Sequence, residues 1–327
     1  MTSTSILDAS FTLRHDTTTA ITREICMRFM RIAAKILAGI VGLIILAAAG
    51  AYGLGSRKLG KHFTVAEAAP SIPSDPASIE RGHHFATAIS KCVVCHGDNL
   101  SGRLFGDDRV MGTLWSANLT RGKGARGAIL TDAQIVNAIR HGVSADGRSL
   151  LIMPSKIYNR LSDEDVADIV AYIRSVPPVD SARPTTKPGP LLHILVGTVA
   201  GGMQSAVGVD HNAPRPAAPT PGPTAEYGSY LVVAGGCKFC HGPGLSGGPL
   251  QEGPPGSLPA ANITPEGLKT YDEAKFFLAL REGIRPSGVP INPEFMPWKL
   301  TKLMTDDEIR AVWKYLQTVP PKPYGNH

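Results

Sequence analysis

Two pentapeptides carry the chemistry of this sequence: Cys92-Val93-Val94-Cys95-His96 and Cys237-Lys238-Phe239-Cys240-His241. Two thiols separated by two residues and followed at once by an imidazole suit covalent attachment of haem. The sulfurs add across the two vinyl groups, and the next side chain reaches the iron from the proximal side. A structural zinc site is the competing use of such spacing, but a tetrahedral set would have to take its remaining cysteines from the other motif. The sequence therefore points to two haems c, attached at Cys92, Cys95, Cys237 and Cys240, with His96 and His241 as proximal ligands. The fifth cysteine, Cys26, stands apart from both motifs and reads as a reduced thiol.

A sixth ligand is sought among soft donors. Met153 lies 57 residues after His96, and Met296 lies 55 after His241; each is followed by proline, which fixes the local backbone. A thioether favours reduced iron and raises its potential, so Met153 and Met296 are the distal candidates. A buried core methionine is the ordinary alternative for either one alone; their equivalence in two copies favours ligation. The competitors are Met111, Met203 and Met304, together with His83, His84 and His141. Met304 aligns with Leu161 and reads as core, while the others lack counterparts. Bis-histidine ligation is a minor option for the first haem only, and His141, just before Gly142, is expected to be exposed at a helix end. Arg140 and Arg281 occupy equivalent positions and suit either haem propionates or solvent. No residue is singled out as catalytic.

These residues must be positioned by elements, and the elements recur. The chain matches itself at offsets of 141 to 145 residues. CVVCH answers CKFCH, ANLT from Ala117 answers ANIT from Ala261, Met153-Pro154 answers Met296-Pro297, and LSDEDVADIVAYIRSVPP answers MTDDEIRAVWKYLQTVPP. Each copy reads as a small helical domain. A first helix leads into the CxxCH turn, with Phe85 and Tyr230 each seven residues before the first cysteine. A second starts at a capping box, Thr131 with Gln134 or Thr270 with Glu273, and stops at Gly142 or Gly283. A last helix starts at Ser162 or Thr305, buries the stripe Val166, Ile169, Val170 and Ile173 or Ile309, Val312, Trp313 and Leu316, and ends before a proline pair. Trp115 reads as packing.

Upstream, residues 36 to 54 contain no charged side chain, and Ile32, Ala33 and Ala34 extend the apolar run to bilayer-spanning length. Arg23, Arg28, Arg31 and Lys35 precede it, which favours a cytoplasmic N-terminus and an exported remainder. A cleavable signal is the rival, with Ala49, Gly50 and Ala51 as the small-residue site. Either way the haem motifs are exported, and in bacteria haem c is attached on that side. Residues 1 to 26 show no periodic pattern, and Met27 reads as an alternative start. The resulting division is a tail over 1–27, an anchor or signal over 28–56, a linker over 57–77, a first domain over 78–180, a Pro-rich linker over 181–224 and a second domain over 225–323. Within the second linker, residues 191 to 203 are apolar but too short and Gly-rich to span a bilayer, and read as packing against a domain, with a partner or the membrane surface as the lesser alternative.

Composition excludes one class of function. The chain of 327 residues carries a formal charge of +6, yet residues 75–180 hold twelve basic and twelve acidic side chains and residues 225–327 ten of each. The excess lies at the flanks of the apolar segment and in the linker, so it is no nucleic-acid footprint.

On CVVCH with Met153 and CKFCH with Met296, the chain resembles class I cytochrome c domains over about residues 78–180 and 225–321. The tandem arrangement is similar to the membrane-anchored cytochrome c subunits of bacterial periplasmic dehydrogenases, which usually carry three such motifs where this chain has two. The resemblance implies a mainly α fold: two tandem class I cytochrome c domains after one N-terminal transmembrane helix at the inner membrane, with the domains in the periplasm. It also implies electron transfer from a periplasmic dehydrogenase or other donor to another cytochrome, a quinone or a terminal oxidase. A dihaem peroxidase or other dihaem oxidoreductase with one open haem is the enzymatic alternative, and a redox sensor a third.

Overall fold

The computed structural model describes residues 7–65, 68–181, 186–198, 201–250 and 258–326. Helix α1, Leu7–Leu59, is longer than the expected 28–56 and runs back through residues read as a patternless tail. Its side chains at Leu43 and Leu46 are 68% and 70% exposed, and Ile36, Leu37, Ile44 and Ile45 are exposed too. A helix apolar all round, with its backbone satisfied internally, leaves a surface suited to lipid. Among the described residues, its part Cys26–Leu59 is the one stretch long and apolar enough to cross a membrane.

The first repeat begins with α2, Pro76–His84, started by Asp75, whose carboxylate accepts from the Ser78 amide 3.0 Å away. A π turn over Phe85–Ile89 leads into α3, Cys92–His96. A hairpin follows, β1 (Leu104–Asp108) and β2 (Gly112–Trp115), then α4 (Asp132–His141), α5 (Ser155–Tyr158) and α6 (Asp163–Ser175). The capping box Thr131–Gln134 is present, Gly142 closes α4 and Ser162 caps α6, all as the sequence implied. The hairpin was not implied, since Leu-Phe-Gly-Asp-Asp has no strand alternation. It is set by its turn, where the Asp108 carboxylate accepts from the amides of Val110 and Met111, both at 2.7 Å. Strand β3, Lys187–Pro188, adds antiparallel to β2 from the linker.

The linker also forms α7, Pro190–Thr198, which packs along the C-terminal end of α1, while both ends of the 191–203 segment meet the first domain as expected, the Leu191 amide donating to the Val110 carbonyl at 3.0 Å and the Ile152 amide to that of Met203 at 2.9 Å. Gly55 and Gly197 let the two backbones close: a Cβ at Gly55 would strike the His193 carbonyl, and one at Gly197 the Ala51 carbonyl. His193 stacks on Tyr52 and bonds Ser56, while Lys58 Nζ caps the carbonyls of Val196 and Gly197 at 3.0 and 3.1 Å.

The second repeat contains α8 (Ala225–Ala234), α9 (Cys237–His241), α10 (Glu273–Arg281), α11 (Trp298–Thr301) and α12 (Asp306–Thr318). Helix α12 has the capping box Thr305–Glu308. Helix α10 starts two residues later than expected for a Thr270 cap: Asp272 is the N-cap, accepting from the Lys275 amide. Its carboxylate is the better acceptor for a helix start.

Buried apolar residues of both repeats form a single cluster, from Phe85, Ile89 and Val136 through Tyr158 and Val170 to Tyr230, Leu231, Ile309 and Leu316. Where α2 crosses α6, Gly82 abuts the Asp168 carbonyl; where α8 crosses α12, Gly228 abuts that of Ala311. Those glycines are 146 residues apart, but the cysteines that follow are 145 apart. The π turn takes up the extra residue in the first copy. Upstream of it the counterpart of Tyr230 is therefore His84, not Phe85, and both rings reach into the opposite repeat.

Candidate functional site

Each CxxCH run folds as one short helix entered from a left-handed residue: Lys91 (φ 54°) before α3 and Gly236 (φ 68°) before α9. Glycine adopts that conformation freely, whereas lysine pays roughly 1–2 kcal/mol for it. The turns leaving the two helices match: Gly102 N bonds His96 O at 2.7 Å, and Gly247 N bonds His241 O at 2.9 Å. Leu100 and Leu245, both buried and both left-handed at φ 55° and 61°, hold the loop below each motif.

His96 Nδ1 lies 2.9 Å from the Ala117 carbonyl, and His241 Nδ1 lies 2.7 Å from that of Ala261. A carbonyl only accepts, so Nδ1 carries the proton and Nε2 keeps its lone pair for a metal. Burial lowers the pKa of both imidazoles, which keeps them neutral near pH 7 as ligands must be. Burial also pushes the Cys92 thiol up to about 12 and raises Cys95, Cys237 and Cys240. Both half-sites thus fit a group taken up by two thiols and one neutral imidazole.

The recurring ANLT and ANIT runs are the positioning devices. Asn118 Oδ1 accepts from the Thr120 amide and hydroxyl at 2.9 and 2.8 Å, and its Nδ2 donates to Val179 O at 2.8 Å. Asn262 does the same with Thr264 and with Lys322 O, at 2.9, 2.8 and 2.7 Å. Each asparagine ties the end of its repeat to the loop whose alanine carbonyl orients the histidine. The repeat of these tetrapeptides was visible in the sequence, but their task was not.

Met153 and Met296 are half-buried and sit in one local geometry. The following prolines have φ −82°, ψ 55° and φ −77°, ψ 55°, and each methionine carbonyl accepts from the residue two ahead, at 2.8 and 2.7 Å. The competing donors have other places. His84 pairs with Glu308; His83 packs on the Tyr172 ring; Met304 is core; Met111 lies in the hairpin turn, its carbonyl accepting from Gly189. Met203 lies beside the first Met-Pro segment, its carbonyl bonded to the Ile152 amide at 2.9 Å.

Two expectations are corrected. His141 is fully buried, with Nδ1 3.0 Å from His211 Nδ1 and Nε2 3.2 Å from Arg215 Nη2, because residues 205–215 fold over the helix end. Arg140 is fully buried as well, donating to the carbonyls of Leu161 and Ser162 at 2.7 and 3.0 Å and to Asp163. Arg281 repeats this with Lys302 O and Asp306. Both arginines brace the start of the last helix, Arg140 away from solvent and Arg281 in a wetter place. Cys26 is an exposed thiol on α1, and Trp115 is half-buried on β2.

Comparison with known proteins agrees with the duplication. The cytochrome c family model matches residues 79–177 and again 225–320. The fructose dehydrogenase cytochrome subunit of Gluconobacter japonicus is 31% identical over 273 residues, covering 75% of this chain and 53% of that protein. The cytochrome c subunit of alcohol dehydrogenase (quinone) from Gluconacetobacter polyoxogenes is 28% identical over 283 residues, 78% of this chain and 59% of that one. A diheme cytochrome c-type protein of Cereibacter sphaeroides is 30% identical over 211 residues, 58% of this chain and 66% of its own length. The chain spans little more than half the length of the dehydrogenase subunits it matches.

Proposed function

The chain belongs to the cytochrome c family, and from that premise we propose that it binds two haems c and relays electrons from a dehydrogenase on the exported side of a membrane. The haems supply reversible one-electron exchange between ferrous and ferric iron. Cys92 and Cys95 bind one haem and Cys237 and Cys240 the other, within domains spanning 78–180 and 225–323. His96 and His241 ligate from the proximal side, and Met153 and Met296 from the distal side. The acceptor is another cytochrome, a quinone or a terminal oxidase. The observation that carries this reading is the paired histidine geometry, in which Ala117 and Ala261 leave both Nε2 atoms ready for iron.

The anchor is retained and the domains lie in the periplasm. Two features support retention: the small residues Ala49 to Ala51 lie inside the unbroken helix α1, and α7 crosses that helix at Gly55.

The test is haem content per chain together with the near-infrared absorption of the oxidised protein. Two haems, each with the band of methionine-ligated ferric iron, support a closed relay. A high-spin haem would instead favour the dihaem peroxidase reading, with one iron open to substrate.

A further inference from the structure

The two CxxCH turns approach one another, and a lysine lies between them. Lys91 immediately precedes Cys92, and its Nζ donates to the Ile89 carbonyl of its own repeat at 2.8 Å and to the Gly235 carbonyl of the other at 3.3 Å. Ser90 Oγ reaches the Ala234 carbonyl beside it, and a Cβ placed on Gly235 would stand 3.6 Å from the Lys91 ammonium. The tail of this side chain therefore sits where the entry to α3 meets the entry to α9.

The position is unfavourable for lysine on two counts. Its backbone is left-handed, a conformation for which the second repeat uses Gly236. Its ammonium is withdrawn from solvent, and desolvation lowers its pKa below the ordinary 10.5. Against these stand its two carbonyl acceptors, which close helical segments at Ile89 and Gly235, where positive charge is favoured. The left-handed turn itself needs only glycine, so what lysine adds at this place is an ammonium held between the two motifs.

We propose that Lys91 is a shared electrostatic bridge that raises the reduction potential of both haems and keeps the two levels close for transfer between them. The argument rests on the two-haem reading above. A fixed cation stabilises the more electron-rich ferrous state of each site, and in a medium of low effective dielectric it acts over several ångströms. When an electron passes between the sites, one iron goes from ferrous to ferric and the other from ferric to ferrous, with no proton or further reactant. A charge shared by both sites offsets little of that exchange.

The experiment is a spectroelectrochemical titration of the full chain, unmodified and as Lys91→Gln, Lys91→Gly and Lys91→Arg, with haem content measured on each. The glycine variant copies Gly236 and preserves the left-handed turn, so it reports even if the glutamine variant folds poorly. Both midpoints should fall in the Gln and Gly chains, by about three- to tenfold in each reduction equilibrium, a tenfold change being 59 mV for one electron. Lys91→Arg should hold both near the unmodified values. Unchanged midpoints in Lys91→Gly with two haems bound would overturn the proposal, as would a shift confined to one haem. An Arg variant that falls with the Gln variant would overturn it too. Fewer than two haems in the unmodified chain would instead sink the reading of the sites themselves.

Discussion

His84 Nε2 lies 2.8 Å from Oε1 of Glu308, joining the first helix of one repeat to the last helix of the other. Its counterpart is the hydroxyl of Tyr230 on Asp165 Oδ2. Both acids are the N3 residues of their helices and each receives a ring from the opposite repeat; Glu308 also closes a capping box, while Asp165 accepts from the Ser162 hydroxyl. The two repeats are held by the same contact made twice, once with an imidazole that titrates and once with a phenol that does not near neutral pH.

That difference makes the interface pH-dependent on one side. The hydrogen bond to Glu308 raises the His84 pKa above its ordinary 6.5. A group whose folded-state pKa is raised contributes stability that is complete below the unfolded value and disappears as pH rises through the folded one. Thermal unfolding of His84→Gln should therefore fall furthest below the unmodified protein at pH below 6.5, with the gap narrowing as pH increases. A gap independent of pH would show that the pair is not charged.

Haem attachment should be separable between the repeats. Replacing Cys237 and Cys240 together by serine should lower haem from two per chain to one, measured as the pyridine haemochrome, with the first site's spectrum kept. Loss of both haems would mean that the second domain must be loaded for the first to fold.

Arg140 and Arg281 occupy equivalent positions with different burial, the side chains being 0% and 28% exposed. Arg140→Met removes the guanidinium donor from the buried Leu161 carbonyl and should cost about 2–3 kcal/mol in urea unfolding. Arg281→Met, at the wetter site, should cost about half as much. A changed haem spectrum in either variant would add a haem propionate to the partners of that arginine.

The contact of α7 with α1 depends on glycine. Gly197→Val forces the helices apart and should destabilise their packing by about 1–3 kcal/mol, seen as faster hydrogen exchange across 190–198. Gly39→Val on the same helix meets nothing within 4 Å and is the control, with exchange in α7 unchanged.

Much of the site was legible because its residues are neighbours in sequence. CxxCH, Met-Pro and the caps at Thr131, Ser162 and Thr305 are local patterns with local physical causes. What escaped were contacts set by the meeting of distant segments. Burial of His141 depends on His211 and Arg215, and the partners of Arg140 lie some twenty residues on. The hairpin depends on an aspartate turn rather than strand alternation. The pairing of Phe85 with Tyr230 failed for another reason: a π turn adds a residue without leaving a gap that alignment would detect, so the true counterpart, His84, looked unpaired.

The clamp at the C-terminal end of α1 also bears on how partners are met. Helix α7 grips residues 51–58, and the Phe63 amide bonds the Gly147 carbonyl at 2.8 Å, so the first repeat is moored to the helix at several points along the intervening chain. With α1 seated in a bilayer, such a mooring holds the first repeat at a set height above the lipid and suppresses swinging. Encounter then becomes a search in two dimensions, governed by lateral diffusion and by the height at which a partner presents its own redox centre.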